Sequence, residues 1–360
     1  MKILQIEIAG KGGICHYTYS LAEKLAEHAS IALITGRDYE LDDKVDNFEV
    51  IKIFNRYKTS PLSLLKIRKL FRDKTVNAVH FQLSQHPYFV MLLAGIAKRA
   101  GKKIIITAHN VVSHEEKNWE TTIFRKIYKL ADRIIVHAQA NKAELGNMFD
   151  IETAKIAVIP HGNYAFFGEG NMEPAPVGDT FNILFFGYIR KYKGLTGLIR
   201  AVKLVKERIP QVKLYIVGRP VGDFGEYRKE IENCGLTENV ELNLEYVPFE
   251  DVKNYFDLAN VVVMPYIKIY QSGILQLAYG LGRPVIVTDV GGMAEVVEDG
   301  RTGFIVPPGD DNALAGKLSV ILEDTDLQKK MGKCAFELAR TRYSWDSIAL
   351  KTMKMYREIV

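Results

Sequence analysis

Apolar and polar positions along this chain follow two alternating rhythms. Short runs rich in β-branched and aromatic residues give way to longer stretches with helical spacing. In the first half the pattern predicts strands at Lys2–Ile8, Ile31–Thr35, Phe48–Ile53, Val76–Phe81, Lys103–Thr107, Arg133–His137 and Lys155–Ile159. Helical stripes lie between them, among them Cys15–His28, Leu62–Asp73, Pro87–Arg99 and Thr121–Ala131. The rhythm restarts at Phe181–Phe186 and continues through Val212–Val217, Val240–Leu242, Val261–Met264, Val285–Thr288 and Gly303–Val306. Trp345–Val360 reads as a last amphipathic helix. Strands that alternate with helices of this length imply parallel sheets covered on both faces.

The segment Gly168 to Asp179 concentrates glycine and proline and reads as a linker. The expected fold class is therefore α/β, with two Rossmann-like doubly wound domains facing a central cleft. Ligands of such sheets bind beyond the carboxyl ends of the strands, so the loops that follow strands should hold the chemistry.

Composition narrows the class without naming it. The chain has 360 residues, 48% apolar and 25% charged, which suits two ordinary globular domains. The longest mostly apolar uncharged run, Tyr88–Ala97, is too short for a bilayer span, and the N-terminus opens directly into a strand. Three scattered cysteines form neither a zinc spacing nor a disulfide framework, so a reducing cytoplasm is expected. Residues 1–165 carry 24 basic against 17 acidic side chains, and residues 166–360 carry 24 against 26. That asymmetry is too weak for a nucleic-acid binder. It does point the first half toward something anionic, such as a membrane surface or a phosphorylated substrate. Leu62–Arg72 is a basic amphipathic helix that suits either a peripheral contact with an anionic membrane or an ordinary crossover.

Four loops carry candidate chemistry. Gly10-Lys11-Gly12-Gly13 stands between the first strand and its helix, as a tight turn or as a contact for phosphate or sugar. It is not a dinucleotide fingerprint: Cys15 replaces the third glycine, and Thr35-Gly36-Arg37 lacks the acid at the second strand. His109 lies two residues beyond a strand, where a neutral imidazole can bond a sugar hydroxyl or move a proton; the plain alternative is a surface loop histidine. His80, His86, His114, His137 and His161 also lie near strand ends, without metal-ligand spacing. Gly187 through Gly194 places Arg190, Lys191 and Lys193 between a strand and a helix, a setting suited to a diphosphate. Arg190 and Lys193 are expected as unpaired surface cations, with little effect on folding. Gln271-Ser272-Gly273-Ile274 opens a helix whose first N–H groups can face an anion, and Gly291-Gly292 repeats the device. Asp324-Thr325-Asp326 has the spacing of a metal-binding pair but reads better as a helix cap, so no metal is expected.

With these residues in hand, the chain resembles GT-B fold glycosyltransferases, family 4 of the retaining enzymes. Gly12-Gly13 resembles the family's N-terminal glycine loop, and His109 the histidine that faces the transferred sugar. Gly187 through Lys193-Gly194 resembles the donor-phosphate motif, although Tyr188 stands where the family places arginine and Arg190 follows two residues later. Gly282-Arg283-Pro284, Gly291-Gly292, Glu295 and Gly300–Gly303 are similar to the C-terminal signature. The family's paired glutamates would fall at Ile269 and Leu277, with Gln276 one place off, so this is a variant branch. The resemblance implies an N-terminal acceptor-side domain at residues 1–165, joined by the C-terminal helix (about 343–360). It implies a nucleotide-sugar domain at residues 166–342. It further implies a retaining, metal-independent hexosyltransferase of polysaccharide biosynthesis, cytoplasmic or peripheral at the inner membrane face. A nucleotide diphosphate sugar would be the donor and a glycan or lipid-linked glycan the acceptor. Gly12, Gly13, Gly187, Arg190, Lys193, Gln271, Ser272, Gly273 and Ile274 would hold the donor, and His109 would orient the sugar. The alternatives are a nucleotide-sugar epimerase, for which no clear acid/base pair is present, and a non-catalytic nucleotide-sugar-binding partner subunit.

Overall fold

The computed structural model describes residues 1–42, 47–55, 60–83, 86–112, 118–164 and 181–360. The expected linker and His114 lie outside the described residues. The chain divides into two compact units, Met1–Gly162 with Trp345–Val360, and Asn163–Ser344.

Unit 1 holds seven parallel strands among the described residues: β1 (Lys2–Ile6), β2 (Ser30–Gly36), β3 (Glu49–Phe54), β4 (Val76–Leu83), β5 (Lys103–Ala108), β6 (Arg133–Val136) and β7 (Ile156–Val158). Their order is β3-β2-β1-β4-β5-β6-β7. Helices α1 (Gly13–Ala26), α2 (Pro61–Arg72), α3 (Pro87–Arg99), α4 (Asn118–Leu130) and α5 (Gln139–Phe149) make the crossovers. The interior strand β5 is buried over Ile104–Ala108, which is why it reads as a continuous apolar run rather than an alternation.

Unit 2 repeats the plan with β8 (Asn182–Phe186), β9 (Lys213–Val217), β10 (Val240–Asn243), β11 (Val261–Met264), β12 (Val285–Thr288) and β13 (Gly303–Val306), ordered β10-β9-β8-β11-β12-β13 and all parallel. Its helices are α6 (Leu195–Arg208), α7 (Gly225–Asn233), α8 (Phe249–Leu258), α9 (Gly273–Gly280), α10 (Met293–Val296), α11 (Asp311–Glu323) and α12 (Thr325–Arg340). Two apolar cores sandwich the sheet, one built around Leu198, Leu214 and Leu318, the other around Phe256, Leu275 and Tyr279. Asp324 caps α12: its Oδ1 accepts from the Leu327 N–H at 2.8 Å. The acid pair there is a helix start.

The last helix, α13 (Trp345–Arg357), belongs to unit 1 and packs on α1. The Trp345 ring meets Tyr17 edge-on at 5.1 Å, and the Tyr356 hydroxyl bonds His80 Nδ1 at 2.6 Å.

Candidate functional site

In each sheet the strand order reverses beside the unit's first strand, between β1 and β4 in unit 1 and between β8 and β11 in unit 2. Loops leaving neighbouring strands in opposite directions open a crevice at that point. The candidate residues fall there in both units, but their electrostatics differ.

In unit 2 the loops after β8 and β11 are fastened together. Tyr192 O accepts from the Ile267 N–H at 2.8 Å. The turn Lys191–Lys193 ends on Gly194, whose φ is +69°, and a Cβ there would collide with the Pro265 carbonyl oxygen, so only glycine fits. This clamp draws Lys193 inward, and its side chain ends only 9% exposed rather than on the surface. The expectation of a solvent-facing cation is corrected on that point: the close approach of two loops from distant parts of the sequence buries it. Its Nζ lies 5.5 Å from the centre of the Tyr266 ring. The point that a Cβ of Gly187 would occupy is 3.2 Å from Nζ and 3.5 Å from Ile274 Cδ1. Gly187, Lys193 and the first turn of α9 therefore meet at one spot.

No carboxylate and no hydrogen bond answers the Lys193 ammonium among the described residues. Burial, reinforced by the charge of Arg190, lowers its pKa to about 8. Arg190 is half-buried on the same loop. Ser272 stands at the N-cap position of α9 and is buried, its hydroxyl donating to Met264 Sδ at 3.7 Å; burial pushes up the pKa of the neighbouring Tyr266 phenol. Gln271 is half-buried, and its Oε1 is a buried acceptor with no donor among the described residues, as is Oε1 of Gln276. Gly273 sits against the Tyr164 ring. Ile269 and Leu277, where the resembled family carries glutamates, are buried in the apolar core, and a carboxylate at either place would be surrounded by hydrocarbon. The C-terminal signature is structural here. Arg283 is buried on Asp257 at 3.2 Å, and Thr302 bonds the Tyr279 hydroxyl at 2.6 Å.

Unit 1 closes its glycine loop on itself. The Glu7 carboxylate accepts from the N–H groups of Ala9 (2.8 Å) and Gly10 (2.7 Å) and from the Thr35 hydroxyl (3.1 Å). Glu40 Oε1 accepts from Gly12 N–H at 2.5 Å and pairs with His16 Nε2 at 2.7 Å. Burial pushes the Glu7 pKa up against these bonds. Burial also works against the Glu40 carboxylate, but His16 and the Gly12 amide outweigh it and hold its pKa below the usual range. Gly12 has a φ of +82° and precedes Gly13, the first residue of α1. Sequence reasoning missed Glu7, Glu40 and His16; an acid at the end of β1 was the available signal.

His109 is 2% exposed and belongs to a buried chain of histidines rather than to an open loop. His137 Nδ1 donates to Ile159 O at 2.9 Å, so its Nε2 is an acceptor, and it lies 3.4 Å from His109 Nδ1. His109 Nδ1 is then the donor and His109 Nε2 an acceptor, 3.0 Å from the Gln82 amide. The Gln82 NH2 must face it, which also supplies the partner its buried Nε2 otherwise lacks. The Tyr17 ring stands edge-on or tilted to His109, His137 and His161, with centres 4.8–5.4 Å apart. Burial lowers the pKa of His137 to about 4 and those of His80 and His161 to about 3; His109 falls well below its ordinary value, through burial and then the neighbouring histidines. The cluster is neutral at physiological pH.

The fold of the chain is that of GT-B type glycosyltransferases. Residues 11–162 match the family described as Glycosyltransferase Family 4, and residues 180–324 match Glycosyl transferases group 1. The chain thus carries a Glycosyltransferase Family 4 domain followed by a Glycosyl transferases group 1 domain. A D-inositol 3-phosphate glycosyltransferase of Paenarthrobacter aurescens (strain TC1) is 28% identical over 246 residues, 66% of this chain and 60% of that protein. An uncharacterized glycosyltransferase of Methanocaldococcus jannaschii is 29% identical over 239 residues, 62% of this chain and 60% of that protein. The chain thus spans about 60% of the length of these relatives. Among solved structures, HepE from Anabaena in complex with UDP superposes with a TM-score of 0.79 at 21% identity, over 99% of this chain and 100% of that one. Sucrose-phosphate synthase from Thermosynechococcus elongatus gives 0.77 at 21% identity, over 99% and 98%. At that identity the likeness establishes the fold. No helix among the described residues is long and apolar enough to cross a membrane.

Proposed function

We propose that the protein is a retaining hexosyltransferase that moves a hexose from a nucleotide diphosphate sugar to a hydroxyl of a glycan or lipid-linked glycan. The observation that carries this reading is the Lys193 ammonium, buried at the switch point of unit 2 beside Gly187 and the first turn of α9, with no carboxylate or hydrogen bond to it among the described residues. A buried cation without a counter-charge is costly, and a diphosphate supplies the missing partner.

In transfer, the bond from the sugar's anomeric carbon to the diphosphate oxygen breaks and a bond to the acceptor oxygen forms. The acceptor's proton leaves on the departing phosphate. Lys193, Arg190 and the N–H groups at Ser272–Ile274 offset the charge that develops on the diphosphate, in surroundings where such contacts are stronger than in water. Gly187 gives the phosphate close access to the backbone. Gln271 offers an unoccupied acceptor to a ribose or sugar hydroxyl. His109 is neutral and both its ring nitrogens are engaged, by His137 and Gln82, so in this reading it orients the sugar through the histidine cluster it holds in place and is not a nucleophile. Fixed cations carry the charge in this reading, and activity in excess chelator should equal activity in magnesium. HepE is described in complex with UDP and with UDP-glucose, which makes a uridine diphosphate sugar the first donor to test.

The test is titration of UDP and UDP-glucose into the protein, followed by transfer onto hydroxyl acceptors with the product's anomeric configuration read by NMR. Binding of UDP with transfer and retention supports the reading. An inverted product overturns retention, and an absence of nucleotide diphosphate binding overturns the site.

A further inference from the structure

We infer that the outward faces of α2 and α3 form a docking surface for an anionic phospholipid bilayer, with a basic groove between them that receives lipid phosphates. The inference does not depend on the donor reading. Helix α2 buries Ser63, Ile67 and Phe71 and turns Leu62 (70% exposed) and Leu65 (61% exposed) to solvent. Those two leucines share the outward face with Lys66, Arg68, Lys69 and Arg72. Helix α3 packs beside α2 and adds exposed Tyr88 and Leu92 on the same stripe as Arg99. Between the helices lies a cavity of about 180 Å³ lined by Arg68, Arg72, Arg99, Ile96 and Ala100. Three guanidinium forks around an apolar floor suit a phosphate attached to a hydrocarbon chain.

The charge on this face is unspent. Lys66, Arg68, Lys69, Arg72 and Arg99 make no ion pair or hydrogen bond through their side chains among the described residues. Elsewhere the chain does pair its cations: Lys98 with Asp132, Arg200 with Glu230 and Arg283 with Asp257. Asp73, the acid at the end of α2, is engaged by Lys2 and by Thr75. Helix-dipole complementarity accounts for cations in the last turns, Lys69, Arg72 and Arg99. It does not account for Lys66 and Arg68, or for two leucines held out to water. Apolar side chains flanked by long cations that can reach around them are the pattern of a helix lying in a bilayer interface. A nucleic acid would use the cations and leave the leucines idle.

Co-sedimentation of the full chain with phosphatidylcholine vesicles, with and without phosphatidylglycerol, tests this. Binding is expected with phosphatidylglycerol only, weakening as salt rises. Replacing Arg68, Arg72 and Arg99 by Gln should lower partitioning by roughly a hundredfold, at about five-fold per cation near an anionic surface. Leu62→Ser with Leu65→Ser alters only exposed groups and should weaken the binding that survives in high salt. UDP titration, run in parallel on each variant, should be unchanged and reports that unit 2 is intact. Equal binding to both vesicle types, unaltered binding by the triple variant, or affinity for inorganic phosphate or an oligonucleotide without affinity for vesicles would each overturn the inference.

Discussion

The two glycine loops that follow the first strands of the two units look alike in sequence and are electrostatic opposites. In unit 1, Glu7 and Glu40 already occupy the amides of Ala9, Gly10 and Gly12, and His16 answers Glu40. In unit 2 the corresponding loop holds an ammonium that faces the Tyr266 ring and that no carboxylate or hydrogen bond answers among the described residues. A loop that has satisfied its own donors with carboxylates is poor at holding phosphate. A loop with a buried unpaired cation is stable only by tolerating a cost that an anionic ligand relieves. Glycine spacing alone therefore does not locate a phosphate site; what matters is whether the fold leaves its charge open.

The sharpest way to break the comparison is to remove the open charge. Lys193→Ala should lower turnover by about two to three powers of ten, the scale of losing one group that stabilises a leaving anion. Steady-state kinetics with saturating donor reads it, and a normal rate would erase the distinction between the loops. His109→Ala should cost about a hundredfold in turnover, the scale of a positioned polar group, while UDP affinity stays unchanged. Loss of UDP affinity in that variant would show that unit 1 also holds the nucleotide.

Two smaller effects probe unit 1. Four of its buried histidines, His80, His109, His137 and His161, have native pKa values far below the ordinary 6.5, so below that pH the unfolded chain binds more protons than the native one. Stability should fall as pH drops from 6.5 toward about 4, by about 1.4 kcal/mol per pH unit for each histidine still neutral. Thermal melts across that range check the slope, and a flat profile would contradict the burial. Glu40→Gln keeps an acceptor for the Gly12 amide and loses only the charge facing His16. It should lower stability by about 1 kcal/mol in a denaturant titration and leave UDP binding alone.

The sheets were legible from the chain because buried parallel strands are continuous apolar runs, as Val261–Met264 and Val285–Thr288 show. The positions of the candidate loops followed from where those strands end. Their charge state did not, because it depends on contacts between distant residues. Glu40 reaches Gly12 across 28 positions, and Pro265 presses on Gly194 across a greater separation. Tyr356 and His80 meet because α13 returns to unit 1. Sequence reading placed Lys193 in the loop after β8 but on the wrong side of its surface, since burial there comes from the β11 loop and Tyr266. The apolar Ile269 and Leu277 were visible as departures, but only packing shows that they joined the core.

The central claim is that unit 2 holds its ammonium at a cost to folding in order to bind a diphosphate. Lys193→Met keeps the stem and removes the charge, so one experiment reads both sides: UDP titration together with the unfolding free energy of the ligand-free protein at pH 7. From the gap between about 8 and the ordinary 10.5, the variant should gain up to about 3 kcal/mol of stability. Its UDP affinity should fall by at least about tenfold, the scale of one charge-assisted hydrogen bond. In the wild type, UDP affinity should also decline as pH rises past about 8. A variant that binds UDP normally, or that loses stability with its charge, would contradict the account.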